Sequence, residues 1–163
     1  MASAPPPGTP EELMAHLWAE EQRLVLASFE FPAAFVLGTH LVETAIERAL
    51  PIAIAIERPH QRLFAAALPQ SAPANDAWIA RKIATATHFE HSSFWVGAML
   101  AASETTLGDH GLSERDHAAH GGAVPIRVRG AGVVAIAAVS GLPQAEDHAL
   151  VVEALEWLAA SSE

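Results

Sequence analysis

Residues 52–68, IAIAIERPHQRLFAAAL, decide the fold class of this chain. The segment Ile52–Ile56 alternates large and small apolar residues, as a β-strand does, and Gln61–Leu68 is predicted to be the returning strand. The residues Arg58-Pro59-His60 between them are typical of a turn. The sequence therefore predicts a β-hairpin, and the alanine face of its first strand is smooth enough for a helix to pack closely.

A second hairpin is predicted near the C-terminal end of the chain. Its strands are Val124–Arg129 and Val133–Val139, joined around Gly130-Ala131-Gly132. Pro125 has no N–H to donate and indicates an edge or strand-start position. Two hairpins, rather than strands alternating with crossover helices, favour an antiparallel sheet.

Five main helices are predicted around the two hairpins, in the order α-α-β-β-α-α-β-β-α. The first begins with a capping box at residues 9–12, TPEE. The second runs from Pro32 to about Leu50, and we expect it to be well buried because its apolar residues cover more than one face. The third is predicted to be capped by Asn75, the fourth to begin at Ser92 or Ser93, and the fifth to begin just after Pro143. A further short helix is predicted from Ser113 to Gly121. The fold class is therefore α+β, with helices packed against an antiparallel sheet.

Composition excludes several classes of protein. Nine Lys and Arg residues against nineteen Asp and Glu residues give a net charge of −10, and 51% of the 163 residues are hydrophobic. Such a chain is not disordered, and its acidity argues against nonspecific binding to nucleic acid or to an anionic membrane. Because cysteine is absent, the chain has no disulfide and no thiolate metal site.

The ends of the chain lead to predictions about organisation and location. Residues 1–8 are predicted to be a flexible tail and residues 9–163 a single domain. The first ten residues lack the basic and apolar regions of a signal peptide, and no uncharged apolar stretch reaches ~18 residues. We therefore expect a cytoplasmic protein that has neither a membrane nor a nucleic acid as its partner.

The nine histidines include one pair that suggests metal binding. His117 and His120 are three residues apart, so on a helix they would face one way and offer two ligands to a metal ion. Two ligands do not complete a metal site. The alternative is that these side chains cap the backbone and form hydrogen bonds within a loop.

Two pairs of basic residues are candidates for anion binding. Arg81 and Lys82 are adjacent in a predicted helix, so one could reach an anion while the other meets solvent. The alternative for this pair is a solvated basic patch. Arg127 and Arg129 project from one face of a predicted strand and could clamp a carboxylate or phosphate. The alternative there is salt bridging between subunits.

Serines at two predicted helix starts are further candidates. Ser92 and Ser93 are expected to cap a helix, and the backbone N–H groups beside them could also hold an anion. Ser140-Gly141 has the same arrangement at the end of a strand. Because Gly-x-Ser-x-Gly is absent around Ser140, a hydrolase nucleophile is not expected there.

Three segments together resemble the haem-degrading (HbpS/GlcG-like) family, and specifically its compact, largely uncharacterised branch. Residues 121–128, GGAVPIRV, and residues 139–148, VSGLPQAEDH, are the specific ones, and residues 75–82, NDAWIARK, support the branch. The resemblance covers roughly residues 15–160. It implies a profilin-like α+β domain with an antiparallel sheet, a stable homo-oligomer, and relatives that bind haem or iron.

Haem binding requires an apolar slot, an iron ligand and cations for two propionates. The chain offers histidine for the iron and Arg81, Lys82, Arg127 or Arg129 for the propionates. Our first hypothesis is therefore a cytoplasmic homo-oligomer that binds a small anionic ligand such as haem. The candidate ligand-binding residues are Arg81, Lys82, Ser92, Ser93, Gly121, Gly122, Arg127, Ser140 and Gly141.

Two other hypotheses remain open. The chain could be an enzyme that acts on a small carboxylate or phosphorylated metabolite, with His120, Asp147 and His148 as its acid and base candidates. Alternatively, it could be a structural or adaptor oligomer without small-molecule chemistry, in which the Gly- and Arg-rich segments form subunit contacts.

Overall fold

The structure, a computed structural model, describes residues 8–162. The predicted tail therefore lies outside the described residues, except for Gly8. The main helices and strands follow the predicted order, with one additional short strand. In chain order they are α1 (Pro10–Arg23), β1 (Val25–Leu26), α2 (Phe31–Glu47), β2 (Ala53–Arg58), β3 (Gln61–Ala67), α3 (Pro73–Phe89), α4 (Ser93–Ser103), β4 (Ala123–Val128), β5 (Gly132–Ser140) and α5 (Gln144–Ser161).

Both predicted hairpins are confirmed, and they lie side by side in one five-stranded sheet of order β1-β4-β5-β2-β3. The two hairpins join through antiparallel pairing of β2 with β5, from Ala53 opposite Ser140 to Glu57 opposite Ile136. Strand β1, which pairs in parallel with the end of β4, was not predicted from the sequence. Strand β1 pairs only with Arg127 and Val128, so Pro125 has a strand partner on one side only, in β5. This position suits proline, which has no N–H to donate to a second strand.

Helices cover both faces of the sheet. Helices α2 and α5 pack on the face that carries Ile54, Ile56 and Val139. Helix α3 packs on the opposite face, where Ala53 and Ala55 leave room for Ile79 and Ile83. The prediction that the alanine face of β2 accepts a closely packed helix is therefore confirmed.

The predicted short helix from Ser113 to Gly121 is wrong. In its place the chain forms irregular turns, preceded by one turn of 3-10 helix at Gly108–His110. The amide of Ala118 donates to Thr85 Oγ1 and the backbone oxygen of Arg81, at 3.0 and 3.1 Å. Hydrogen bonds to α3 thus replace the bonds that a local helix would make.

The expectation that α2 is well buried is also wrong. One stripe of this helix is buried against the sheet, at Leu37 and Leu41 among others. Phe35 and Ile46, by contrast, are 66% and 64% exposed. A helix lying on one face of a sheet buries only the side that meets it, so the remaining apolar residues form an exposed surface.

Candidate functional site

A polar cleft lies where β5 ends, beside α3 and the start of α5, and its volume is about 290 Å³. We call it the Lys82 cleft. Its lining residues are Asn75, Trp78, Lys82, His120, Ser140, Gly141, Leu142, Gln144 and Asp147.

Two glycines shape the backbone around the Lys82 cleft. Gly141 has a φ of +149°, and a Cβ there would lie 2.4 Å from the backbone oxygen of Pro51. Gly122 has a φ of +138°, and a Cβ there would lie 2.6 Å from Lys82 Nζ. Both backbone conformations disfavour other residues, and both positions lack the space for a side chain. Glycine at position 122 therefore leaves room for the Lys82 amine.

A buried ion pair forms one wall of the Lys82 cleft. Lys82 Nζ donates to Asp147 Oδ2 at 3.1 Å and to the Val139 backbone oxygen at 3.3 Å. The two side chains are only 4% and 2% exposed. Burial lowers the pKa of Lys82 and raises the pKa of Asp147, because it disfavours both charged forms, and their mutual attraction opposes this only in part.

The backbone orients the Asp147 carboxylate. Its second oxygen, Oδ1, accepts a hydrogen bond from the Leu142 amide at 3.0 Å. Asp147 also lies in the first turn of α5, where the helix dipole favours a negative charge. Because both carboxylate oxygens have partners, the side chain holds one orientation towards Lys82.

His120 lies beside the ion pair, and its ring makes an edge-to-face contact with the Trp78 ring, with the two ring centroids 5.3 Å apart. The Arg81 guanidinium sits over the same Trp78 ring at 4.1 Å. Burial, followed by the charges of Lys82 and Arg81, lowers the pKa of His120. At neutral pH His120 is therefore an uncharged imidazole in a locally positive potential.

The Lys82 cleft brings together five of the predicted site residues: Lys82, His120, Ser140, Gly141 and Asp147. Gly121 and Gly122 adjoin it, and the Gly121 amide donates to Gln144 Oε1 at 3.1 Å. The interpretation of Arg81 and Lys82 as a solvated pair is wrong for Lys82, which is buried.

His148, Ser92 and Ser93 lie elsewhere. His148 Nε2 is 2.5 Å from Glu20 Oε1, so this imidazole faces α1 rather than the Lys82 cleft. Ser92 Oγ accepts from the Trp95 amide at 3.1 Å. Ser93 Oγ accepts from the Ala123 amide, also at 3.1 Å. The Ser92 hydroxyl therefore caps α4, as predicted. The Ser93 hydroxyl does not cap the helix and instead joins the start of α4 to the start of β4.

The structure does not bring Arg127 and Arg129 into one site. Arg127 donates to Glu21 Oε2 at 3.4 Å and to the Glu90 backbone oxygen. Arg129 follows the end of β4 and lies beside Ser162 near the end of α5. A register irregularity after Ile126 interrupts the regular alternation of the strand.

His117 and His120 both border a cavity beside Arg81. His117 Nδ1 lies 3.3 Å from the Ser113 backbone oxygen. Within residues 8–162, no group of three or more His, Asp or Glu side chains is arranged to hold a metal ion. His117 and His120 therefore have no third protein ligand beside them among residues 8–162. Their role in metal binding stays a prediction.

Four lining residues were not predicted from the sequence, Asn75, Trp78, Leu142 and Gln144, but one signal for the cleft was present. Lys82 is three residues after Ile79 and four before Ala86, on the stripe that α3 buries. It is also the single lysine of the chain, because the other eight basic residues are arginines. A lone lysine on an apolar helix stripe indicates a buried amine.

A second and larger cavity, of about 610 Å³, adjoins the C-terminal half of α3 and the β2–β3 turn. We call it the histidine cavity, because His60, His88 and His117 line it together with Arg58. Its apolar lining includes Ile83, Val133, Val134 and Ile136.

The two cavities differ in their fit to haem. Haem needs an apolar slot, an iron ligand and cations for its propionates. The histidine cavity has imidazoles, the Arg58 guanidinium and an apolar wall. Two carboxylates also line it, Glu57, which pairs with Arg62 at 2.9 Å, and Glu90. The Lys82 cleft has less than half that volume, 290 against 610 Å³, and a charged pair in its wall. The residues of the histidine cavity therefore fit haem, and those of the Lys82 cleft do not.

Comparison with known proteins agrees with this architecture. The UPF0303 protein of Streptomyces avermitilis is 50% identical over 155 residues, which are 94% of this chain and 92% of that protein. The crystal structure of the Ybr137w protein superposes with a TM-score of 0.84 at 35% identity, covering 91% of this chain and 88% of the other.

A more distant structure shares the fold alone. The PduOC:Heme complex has a TM-score of 0.66 at 16% identity, covering 79% of this chain and 94% of the other.

The model of the HbpS-like haem degrading proteins matches residues 29–156, which include α2 to α4, both hairpins and most of α5. The chain therefore belongs to the HbpS-like haem degrading protein family.

Proposed function

We propose that this protein binds a small carboxylate in the Lys82 cleft. The observation that carries the proposal is the meeting of Lys82, Asp147, Ser140 and His120 in one polar cleft. Buried titratable groups with displaced pKa values, gathered in a cleft, are characteristic of functional sites.

Local charge supports an anionic ligand even though the whole chain carries −10. Burial is the main cause of the lowered pKa of His120, and the charges of Lys82 and Arg81 lower it further. The potential that disfavours a proton on His120 favours an anion beside it. Contact interactions of this kind override the long-range repulsion from distant carboxylates, which salt screens beyond about 8–10 Å.

The size and polarity of the cleft support a small ligand. Pockets for drug-sized molecules usually span about 300–1,000 Å³, and the Lys82 cleft, at about 290 Å³, falls just below that range. Asn75 and Gln144 add amide groups to its wall, and Ser140 adds a hydroxyl. These polar groups suit a molecule of a few heavy atoms that has one carboxylate.

A second candidate function is haem binding in the histidine cavity. The observation that favours it is the presence of His60, His88, His117 and Arg58 around one apolar-walled space of about 610 Å³. Structures of HbpS and of a PduOC:Heme complex share the fold. In this chain His88 or His117 would hold the iron and Arg58 a propionate. The group itself would supply redox and oxygen chemistry.

One titration experiment tests both functions with crossed controls. Glycolate is added and followed by calorimetry, and haemin is added and followed by its Soret band. We expect His120→Ala to weaken glycolate binding about tenfold, because it removes one hydrogen bond to a charged group. Haemin binding should be unchanged in this variant. We expect His88→Ala with His117→Ala to abolish the Soret shift and to leave glycolate binding unchanged. Absence of glycolate binding to the wild-type protein, or its full retention by His120→Ala, would contradict the carboxylate proposal.

Self-association is part of the same proposal, with a second copy of the chain as the partner. The exposed apolar surface of α2 includes Phe31, Phe35, Val36 and Ile46. It lies next to β3, which is an edge strand of the sheet. An apolar helix face beside an unpaired strand edge is a surface that proteins ordinarily cover.

We expect Phe35→Glu combined with Ile46→Glu to convert the assembled protein to monomer, because each charge would enter an apolar interface. Native mass spectrometry measures the change. Ala131→Glu, at an exposed turn, is the matched control and should leave the assembly intact. A wild-type protein that is monomeric at micromolar concentration would contradict this part of the proposal.

No described helix is both long and apolar enough to cross a membrane. The cytoplasmic location stays a prediction.

A further inference from the structure

The single lysine of the chain is buried in the Lys82 cleft. The eight arginines carry the remaining positive charge, and six of them take part in ion pairs, cation–π contacts or other side-chain hydrogen bonds: Arg23, Arg48, Arg58, Arg62, Arg81 and Arg127. A guanidinium holds a charge as well as an ammonium does, but it does not deprotonate in proteins. A lysine amine, by contrast, loses its proton and then acts as a nucleophile.

The Lys82 amine has unused bonding capacity. An ammonium has three N–H donors, and Nζ has two acceptors among residues 8–162, Asp147 Oδ2 and the Val139 backbone oxygen. Lys82 also lines the cleft, and Gly122 leaves the space beside Nζ free of a side chain. The nitrogen therefore lies within reach of a small molecule in the cleft.

We propose that Lys82 is a covalent site, where its amine condenses with the carbonyl group of a small 2-oxo acid to form an imine. The inference rests on the proposed function, because the cleft would hold the carboxylate of the same molecule. It adds the substrate class, a carboxylate with an adjacent aldehyde or ketone, and the residue that reacts.

Asp147 and Lys82 can carry out the proton transfers that the condensation requires. Asp147 Oδ2, at 3.1 Å, takes one proton from the Lys82 ammonium and leaves a free amine. The nitrogen lone pair forms a C–N bond to the carbonyl carbon, and one N–H proton moves to the carbonyl oxygen. The hydroxyl then takes the proton held by Asp147 and leaves as water, while nitrogen keeps one proton in the iminium. One water is released, and nothing is oxidised or reduced.

The environment of Lys82 favours this chemistry over a purely structural role. Burial lowers the pKa of Lys82, so a larger fraction of free amine is present at neutral pH than in an exposed lysine. Asp147 is held by the Leu142 amide and stays in place as the proton shuttle. Because His120 is an uncharged imidazole, it does not repel the positive charge of the iminium.

Reductive trapping tests the inference. Folded protein is incubated at pH 7 with glyoxylate and sodium cyanoborohydride, and intact mass with peptide mapping locates the carboxymethyl group. The chain's α-amino group is the internal reference, since it is the other primary amine. We expect Lys82 to be modified about tenfold or more faster in the folded protein than in urea, because a lower pKa enlarges the reactive fraction.

Two variants separate chemistry from folding. Lys82→Arg keeps a cation and should lose the adduct at position 82, while the α-amino group reacts as before. Asp147→Asn keeps the lysine and should slow trapping at Lys82 about tenfold or more, a modest loss for a group that transfers protons. Circular dichroism confirms that each variant folds, and modification of Lys82 no faster in the folded chain than in urea would overturn the inference.

Glycolate distinguishes this inference from the proposed function, since it has the carboxylate but no carbonyl. Glycolate binding without trapping of glyoxylate at Lys82 would overturn the imine and leave the carboxylate proposal standing. Trapping at Lys82 without glycolate binding would support the imine and overturn carboxylate binding in the absence of a covalent bond. If glycolate does not bind and glyoxylate is not trapped at Lys82, both the carboxylate proposal and the imine are overturned.

Discussion

Replacing Asp147 with alanine is expected to destabilise the protein by about 3–5 kcal/mol, the usual effect of removing one partner of a buried ion pair. Lys82 would remain 4% exposed without its carboxylate, and the Leu142 amide would lose its acceptor. Urea denaturation at pH 7 measures the loss as a lower transition midpoint at unchanged slope.

The same helix provides a matched control for Asp147. Glu153 also lies on α5 and pairs with Arg48 at 2.5 Å, but those side chains are 51% and 48% exposed. We expect Glu153→Ala to cost less than about 1 kcal/mol, because water and salt screen exposed pairs. Equal losses for Asp147→Ala and Glu153→Ala would show that burial of the Lys82 pair has no energetic consequence.

A double variant separates the ion pair from the backbone contacts of Asp147. Lys82→Met with Asp147→Leu removes both charges and keeps apolar volume in the site. We expect it to be more stable than Asp147→Ala by about 1–3 kcal/mol, because no buried charge is left unpaired. Full recovery of wild-type stability is not expected, since the Leu142 amide would still lack its acceptor.

Replacing Glu21 with alanine is expected to cost about 3 kcal/mol at pH 7 and to loosen α1. Glu21 is buried, and it accepts from the Ser92 amide and lies near His91 Nδ1, each at 2.7 Å. Arg127 contacts the same carboxylate at 3.4 Å. Hydrogen bonds to a charged group contribute about 1.5–3 kcal/mol each, and the loss leaves three donors without this acceptor. Hydrogen exchange of α1 and urea denaturation measure the effect.

The stabilisation by Glu21 depends on pH. Burial alone raises the pKa of Glu21, but hydrogen bonds from His91 and Ser92, with the charges of His91 and Arg127, lower it overall below 4.5. A lowered carboxyl pKa means that the unfolded chain binds the proton more tightly. The contribution is therefore complete above pH 4.5 and is lost as the pH falls through the pKa of the folded state.

Glu21→Gln checks this pH dependence. Its stability should fall less steeply than that of the wild-type protein on acidification below about pH 4.5. Glu11→Gln, at an exposed position of the same helix, should follow the wild-type curve. A Glu21→Gln curve parallel to that of the wild type would contradict the assignment of the lowered pKa.

Local patterns in the sequence were sufficient to predict most of the architecture. The alternation at Ile52–Ile56 and the turn residues after each strand identified both hairpins, because strand periodicity and turn chemistry act between neighbouring residues. The capping box at Thr9 and Glu12 is present in the structure for the same reason. The exposed surface of α2 was not predictable in this way, since apolar residues on several faces do not reveal which face meets the sheet.

Patterns between neighbouring residues are enough to predict the α+β class, the two hairpins and the segments typical of the family, and composition excludes cysteine chemistry. Tertiary structure alone decided the site. Lys82 and Asp147 are 65 residues apart, and only the packing of α3 and α5 around the end of β5 brings their charges to 3.1 Å. Arg127 and His148 were equally plausible candidates, yet they face Glu21 and Glu20 on α1. Sequence spacing constrains which residues share a face of one element, whereas contact between elements depends on how whole faces pack.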